Sequence, residues 1–375
     1  MELYQKIYVK PAFLESEHGK IPCTKCHGGD AGNPDWQTAH DDVVRDPTFP
    51  DPSATCGECH EELAAAAPSG LHYSLRPMRA ALERRSSGAH ADRRDMAFER
   101  HCATCHASCG QCHVSRPDYV NGGFLAGHLF QERPPMDTTC ASCHGGRVHG
   151  EYTGADDAYE ADTHYIDQEM TCMHCHPSAE MHAAATEVET RFDLPELPGC
   201  PSCHESVRTE NNGNRFHTVH GGRLACQVCH AQAGKSCFGC HVGTDDAGLP
   251  YFKCRESRMM LKIGRNPRPS EKHPAEYVMV RHAPVNPQLL DRYGKNLLDR
   301  FDVLPTWKMS APHSIQRITE RNRACNKCHG HAELFLTDAD LEPWERSANA
   351  QVVVPEDRIP VPVDHTEALP KGGQP

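Results

Sequence analysis

Twenty of the 21 cysteines in this chain fall into ten copies of Cys-x-x-Cys-His. The thiol pairs are Cys23/Cys26, Cys56/Cys59, Cys102/Cys105, Cys109/Cys112, Cys140/Cys143, Cys172/Cys175, Cys200/Cys203, Cys226/Cys229, Cys237/Cys240 and Cys325/Cys328. The histidines that close them are His27, His60, His106, His113, His144, His176, His204, His230, His241 and His329. This spacing is the attachment signature of c-type haem. Two thiols add across the porphyrin vinyl groups, and the adjacent imidazole ligates the iron from below. Only 27 of 375 residues are His, so ten consecutive hits are not chance.

Other chemistries use paired cysteines. Zinc ribbons need two further ligands at a set distance and have no reason to place His after every pair. Iron–sulfur clusters want four thiolates at other spacings. A disulfide framework belongs to short secreted chains and favours an even cysteine count. The expected cofactor is therefore haem c, ten covalently attached groups.

Seventeen histidines remain outside the motifs, more than ten irons need for a second axial ligand. The expected distal ligands are His18, His40, His72, His128, His164, His182, His217, His220, His282 and His313, with His101 and His149 in reserve. His217 and His220 stand three apart, so one helical face can present both to two neighbouring sites. His365 is a candidate ligand for a site in another subunit. Histidine on both faces keeps iron low-spin and its potential low, whereas Met raises it.

These residues need elements to position them. Successive motifs start 7 to 88 residues apart, most of them near thirty, which suggests one site per small supersecondary unit. Two motif pairs are tight. In CATCHASCGQCH three residue steps separate His106 from Cys109, a reach of at most about 11 Å. In CQVCHAQAGKSCFGCH six residues lie between His230 and Cys237. The expected fold is mainly short α-helices and loops wrapped around a chain of haems, with little β structure. Helices are expected over 61–67, 178–192 and 314–323. Residues 1–254 form a multihaem domain with nine motifs. Residues 255–350 form a capping segment carrying the tenth motif, with Tyr277, Tyr293, Leu297, Leu298, Phe301 and Trp307. Residues 351–375 form an extended Pro-rich tail, a surface tail or an arm around a neighbouring subunit.

The apolar fraction is 38% including the cysteines, and Gly and Pro make up 57 residues. Little is left for a conventional core, so the haems are expected to be the core and the apo-protein to be unfolded. The net charge is −12. Haem propionates add to it, about −1 per ferric bis-histidine haem and about −2 per ferrous one by charge counting. No basic stripe suits nucleic acid; redox partner proteins or extracellular acceptors of positive charge suit better. No apolar run reaches the length of a transmembrane helix. Met1–Lys10 lacks the apolar centre of a signal peptide. Haem c is attached outside the cytoplasmic membrane, so the sequence reads as a processed or re-engineered form of a periplasmic or extracellular protein.

The phrases CATCHASCGQCHVSRP, CHGGRVHGEYTG, THYIDQEMTCMHCH and HTVHGGRLACQVCH resemble multihaem c-type cytochromes of anaerobic respiration. Over His18 to Cys240 the chain looks like the octahaem tetrathionate reductase and hydroxylamine oxidoreductase superfamily. That resemblance implies stacked and perpendicular haem pairs in a helical, loop-rich wrap. Here all ten motifs end in His, unlike the Cys-x-x-Cys-Lys site of related nitrite reductases. The tetrathionate reductases pair a Lys-ligated haem with a nearby cysteine, which places Cys254, Lys253 and Lys262 under scrutiny. Cys254 otherwise reads as an inert buried thiol. Decahaem cytochromes of outer-membrane porins are a further comparison, but their motifs are more evenly spaced.

Two functions follow. The first is an electron conduit of ten closely spaced, mostly bis-histidine haems, acting as a shuttle, a complex subunit or a polymerising wire. The second is a multihaem reductase with one open or Lys-ligated haem acting on a small nitrogen or sulfur oxyanion. The histidine surplus favours an electron-transfer protein over an enzyme.

Overall fold

In the computed structural model, the described residues are 8–103, 107–117, 120–155, 160–182, 190–194, 198–208, 213–232, 239–244, 250–255 and 261–364, those of 239–244 and 250–255 by backbone alone. The chain is mostly short helices and loops with a small three-stranded sheet, 44% helical and 7% strand, as its composition leads one to expect. The longest described helix, Arg76–Arg85, has ten residues. Among the described residues, no helix is long and apolar enough to cross a membrane.

The chain divides into two interleaved units. The first comprises Met1–Ala81, Asp95–Gly146 and Thr171–Leu197, and contains the six motifs that start at Cys23, Cys56, Cys102, Cys109, Cys140 and Cys172. The second comprises Leu82–Arg94, Arg147–Met170 and Pro198–Pro375, with the other four. Within the second unit lies an antiparallel hairpin, β1 (Gly239–Thr244) and β2 (Pro250–Arg255), whose register sets Cys240 opposite Cys254. The three-stranded sheet runs β3 (Leu261–Arg265), β4 (Tyr277–His282), β5 (Trp307–Met309), all antiparallel.

Strand β4 reads Tyr-Val-Met-Val, and all four residues are buried. A strand covered on both faces can be apolar throughout rather than alternating. One face joins Val228, Ile263, Tyr277, Met279, Phe335 and Val354 in a compact cluster. Leu297, Leu298 and Trp307, expected in a cap, are almost wholly buried.

Two expectations about elements change. Residues 314–319 are an extended strap rather than the start of a helix. Ile315 bridges Ala231, and its carbonyl accepts from the Thr163 amide. The amides of Gln232 and Gln316 pair with Ser314 and His230. Lateral partners thus satisfy the backbone groups that a helix would have used internally, and only Glu320–Asn322 makes a 3-10 turn. In 178–192, Ser178–His182 is helical and Arg191–Asp193 is a 3-10 turn, while 183–189 lies outside the described residues. The run at 61–67 is a helix over Glu61–Ala66, continued by a 3-10 turn at Ala67–Ser69.

The Pro-rich tail is seated on its own unit. Val352, Val353 and Val354 are buried, and the Val354 amide donates to Leu336. Farther on, the Gly330 amide donates to Pro360, and Asn326 exchanges two hydrogen bonds with Val363. Three consecutive valines with apolar neighbours account for the docking. His365 and the rest of the tail lie outside the described residues.

Candidate functional site

Most of the motifs, where their residues are described, fold as single helical turns. Cys23–His27, Cys109–His113 and Cys226–His230 are five-residue α-turns, while Cys56–Glu58, Cys200–Ser202 and Cys325–Lys327 are 3-10 turns. In the motifs at Cys56, Cys172, Cys200 and Cys325, the histidine amide donates to the first cysteine carbonyl at 2.8–2.9 Å. One turn puts residues i and i+3 on one side, so both thiols face the same way and the histidine follows directly. Ser108 and Thr171 cap their turns through Gln111 and His174. The ninth motif differs: its Gly239–His241 backbone belongs to β1, and Cys237 lies outside the described residues. So do Cys105 and His106 of the third.

Among the motif cysteines, Cys23, Cys59, Cys143, Cys175, Cys200 and Cys203 are exposed. The other motif cysteines whose burial is described are only partly covered. The reason is local. Cys59, Cys143, Cys175 and Cys203 each come at the end of a single short turn, and one turn buries little of its own surface.

Each of seven motif histidines faces one histidine from elsewhere in its own unit. In the first unit the pairs are His60 with His18, His27 with His128, His144 with His72, and His113 with His182. In the second they are His204 with His164, His230 with His217, and His329 with His220. Ring centroids are 5.8–6.2 Å apart in all seven, while interplanar angles run from 11° to 83°. Direct ring packing couples distance to angle; here the distance is fixed and the angle is free. A metal–imidazole bond of about 2.0 Å puts trans ring centroids about 6.2 Å apart, which this separation approaches.

The ring nitrogens are sorted in the same sense. Nδ1 of His27, His113, His230 and His329 meets the carbonyl of Val44, Gln131, Gln316 and Val361, at 2.6–3.1 Å. Nδ1 of His164, His182 and His220 meets Asp162, Ser178 and the Phe216 carbonyl. Nδ1–H held this way leaves Nε2 as the free donor atom, the arrangement by which a second partner orients a metal-ligating imidazole. His176 Nδ1 meets the largely covered Glu180 carboxylate at 2.9 Å. Burial, aided by the facing histidine, lowers the pKa of His128, His182 and His217. Burial and His60 lower that of His18 against the pull of Glu17, and burial lowers that of His72. Each shift favours the neutral imidazole that can ligate a metal.

His128 carries backbone strain. Its φ is +73°, a left-handed conformation uncommon for a residue with a side chain. Phe13 and Phe124 hold its ring edge-on at 4.8 and 4.7 Å. Strain of this kind costs on the order of 1–3 kcal/mol and persists where surrounding structure enforces it.

Thiols of different motifs approach one another. Cys26 and Cys109 are each within electrostatic reach of Cys56, and Cys112 is within reach of Cys140. Cys140 and Cys172 hydrogen-bond, and Cys229 neighbours Cys328. Adjacency in the first unit therefore runs through motifs one, two, four, five and six, and motif eight adjoins motif ten in the second. Burial raises Cys109 and Cys229 to about 11 and Cys112 to about 12. They are kept as neutral thiols, whereas reactive or metal-binding thiolates sit in electropositive surroundings. Among the described residues, no group of three or more His, Cys, Asp or Glu converges on one point.

The remaining expected ligands are placed differently. His282 directs Nε2 to the buried Glu345 carboxylate at 2.8 Å and packs on Trp307. His40 is exposed, with Nδ1 on the Trp36 carbonyl. The His313 amide donates to buried Glu151. Of the reserves, His101 is buried immediately before Cys102. Lys262 is paired with Asp340 in a half-buried ion pair. Glu180 escaped the sequence reading, although its position four residues after His176 was the available signal. No family model matches the chain, and neither does any curated protein or solved structure.

Proposed function

We propose that this chain is a ten-haem c-type cytochrome of electron transfer, wrapped around its haems and working in the periplasm or outside the cell. The observation that carries this reading is the set of seven pairs, each uniting one motif histidine with one other, at constant separation and variable tilt. The residues fit the group. Each complete motif would supply two thiols and an imidazole to a haem, and the facing histidine would supply a second nitrogen ligand. An exposed apolar side chain lies by one pair: Val361, whose carbonyl meets His329 Nδ1. An apolar disc would cover such a residue at about 25 cal/mol per Å².

When bound, bis-histidine haem supplies one-electron exchange between ferric and ferrous iron at low potential. The chain's own part is to hold imidazoles on both sides, orient them through Nδ1 and keep neighbouring motifs close. Lys25 and Glu58, each inside a motif, form an ion pair at 2.6 Å that ties the first motif to the second. The acidic surface suits a positively charged redox partner or acceptor, with the protein acting as a shuttle, a complex subunit or a polymerising wire.

Electron paramagnetic resonance of the oxidised protein tests the reading, together with intact mass. Ten haem additions and only low-spin ferric signals are expected. A colourless protein would overturn the cytochrome assignment. A high-spin ferric signal would mark an open site and turn the assignment towards a reductase of small oxyanions.

A further inference from the structure

The motifs starting at Cys226 and Cys325 are distant in sequence, with another motif between them, yet the second unit builds them as one module. Helix Arg215–His220 gives His217 to His230 and His220 to His329. Val228 of one motif and Cys328 of the other belong to the same apolar cluster. One charged side chain serves both. Arg321 donates from Nε to the Val228 carbonyl at 2.7 Å and from Nη2 to the Ala231 carbonyl, closing the end of the Cys226–His230 turn. Its guanidinium is within electrostatic reach of Cys229 and Cys328. Among the described residues, no carboxylate pairs with it. Its neighbours Glu320 and Arg323 form their own ion pair, and Glu320 also binds Lys327. Burial pulls the Arg321 pKa down, but arginine starts so high that it stays charged. A largely buried cation held only by neutral carbonyls lacks a counter-charge, and that arrangement is costly unless a negative group completes it.

We propose that Arg321 is the shared positioning and tuning residue of the eighth and tenth haem sites, a fixed cation that favours the added electron at both. This rests on the haem reading above. Reduction adds one electron to each ferric iron and breaks no bond, so the positive charge raises both potentials.

The test uses full-length holoprotein carrying Arg321→Gln or Arg321→Lys, with haems counted by intact mass and redox state followed by visible absorption during a mediated dithionite titration. With ten haems retained, R321Q is expected to move the portion of the curve belonging to two haems to more negative potential. R321K keeps the charge and is expected to follow the native curve. An R321Q curve that overlays the native one, or shifts evenly over all ten haems, overturns the proposal. If R321Q matures with fewer haems, R321K decides: with ten haems, a native curve supports the role of charge and a negative displacement refutes it. Native protein without haem would instead refute the cytochrome reading.

Discussion

Glu180 and the Gln131 carbonyl do the same job for different histidines, and the difference in charge has a consequence. His176 donates to a carboxylate that is only 8% exposed, whereas His113 donates to a neutral carbonyl. A carboxylate partner makes the ligating imidazole more basic and stabilises the oxidised metal. Glu180→Gln is therefore expected to raise the potential of one haem, seen as a positive shift of about one-tenth of the redox titration. An unchanged curve would show that Glu180 only positions the ring. The paired histidines are equally open to test. Alanine at His217 or His220 is expected to create one high-spin ferric haem each in paramagnetic resonance, with the other variant's site untouched. At this scale the sequence was legible in kind but not in pairing. The spacing of His217 and His220 announced two sites on one helix, and they do face two motifs. Nothing local announced that His18, next to the first motif, faces His60 of the second, while His27 faces His128. Such choices depend on where distant segments return, and a strained residue like His128 leaves no mark in its neighbours' identities.

Elements hold these side chains through contacts that short motifs do not encode. The tail segment through Val361 accepts from His329, and it reaches that point because Gly330 lets it pass. Gly330 has φ +82°, and a Cβ there would stand 2.7 Å from the Pro362 ring. Gly330→Val is expected to lift the tail segment, exposing 355–364 to trypsin at Arg358 while residues before 351 stay protected. Equal protection in variant and native protein would contradict this. Glu345 provides a second hold, between β4 and the short helix Arg346–Asn349. Burial acts to raise its carboxyl, but hydrogen bonds from Thr306, His282 and the Glu342 amide outweigh that and hold it below its ordinary value. A depressed carboxyl stabilises the fold above the unfolded value of about 4.3 and loses that contribution as pH falls through the folded one. Glu345→Gln should therefore lose about 2 kcal/mol at neutral pH, read by denaturant unfolding. The gap to the native protein should narrow below about pH 4. A constant gap across that range would assign the effect to packing. The helix at 61–66 was legible from its alanines and the proline that ends it. The strap at 314–319 was not, because its hydrogen bonds go to Thr163, His230 and Gln232, residues remote in sequence.

At the scale of the two units, apolar burial and Cys-x-x-Cys-His motifs are distributed in opposite proportion. Among the described residues, the first unit has six motifs but only eight buried apolar side chains, while the second has four motifs and twenty. The eight include Phe13, Ala64, Leu75, Ala97 and Phe98, dispersed along the chain with no strand to organise them. Burying a large apolar side chain is worth about 1.5–3 kcal/mol, so eight cannot offset an ordering entropy of at least about 1 kcal/mol per residue over that unit. The second unit has a sheet and a compact cluster between β3, β4, Phe335 and Val354. Low apolar content led the sequence reading to an apo-protein unfolded throughout; the structure makes that deficit unequal. Chain produced without haem attachment, by changing every motif cysteine to alanine, should therefore lose amide-exchange protection completely in the first unit. Partial protection should persist in β3, β4 and the strand-like segment around Val352–Val354. The measurement is hydrogen exchange by mass spectrometry on the haem-free chain. Equal protection in the two units, or native protection in the first, would mean that side-chain packing alone orders the six-motif unit and that haem is not its core.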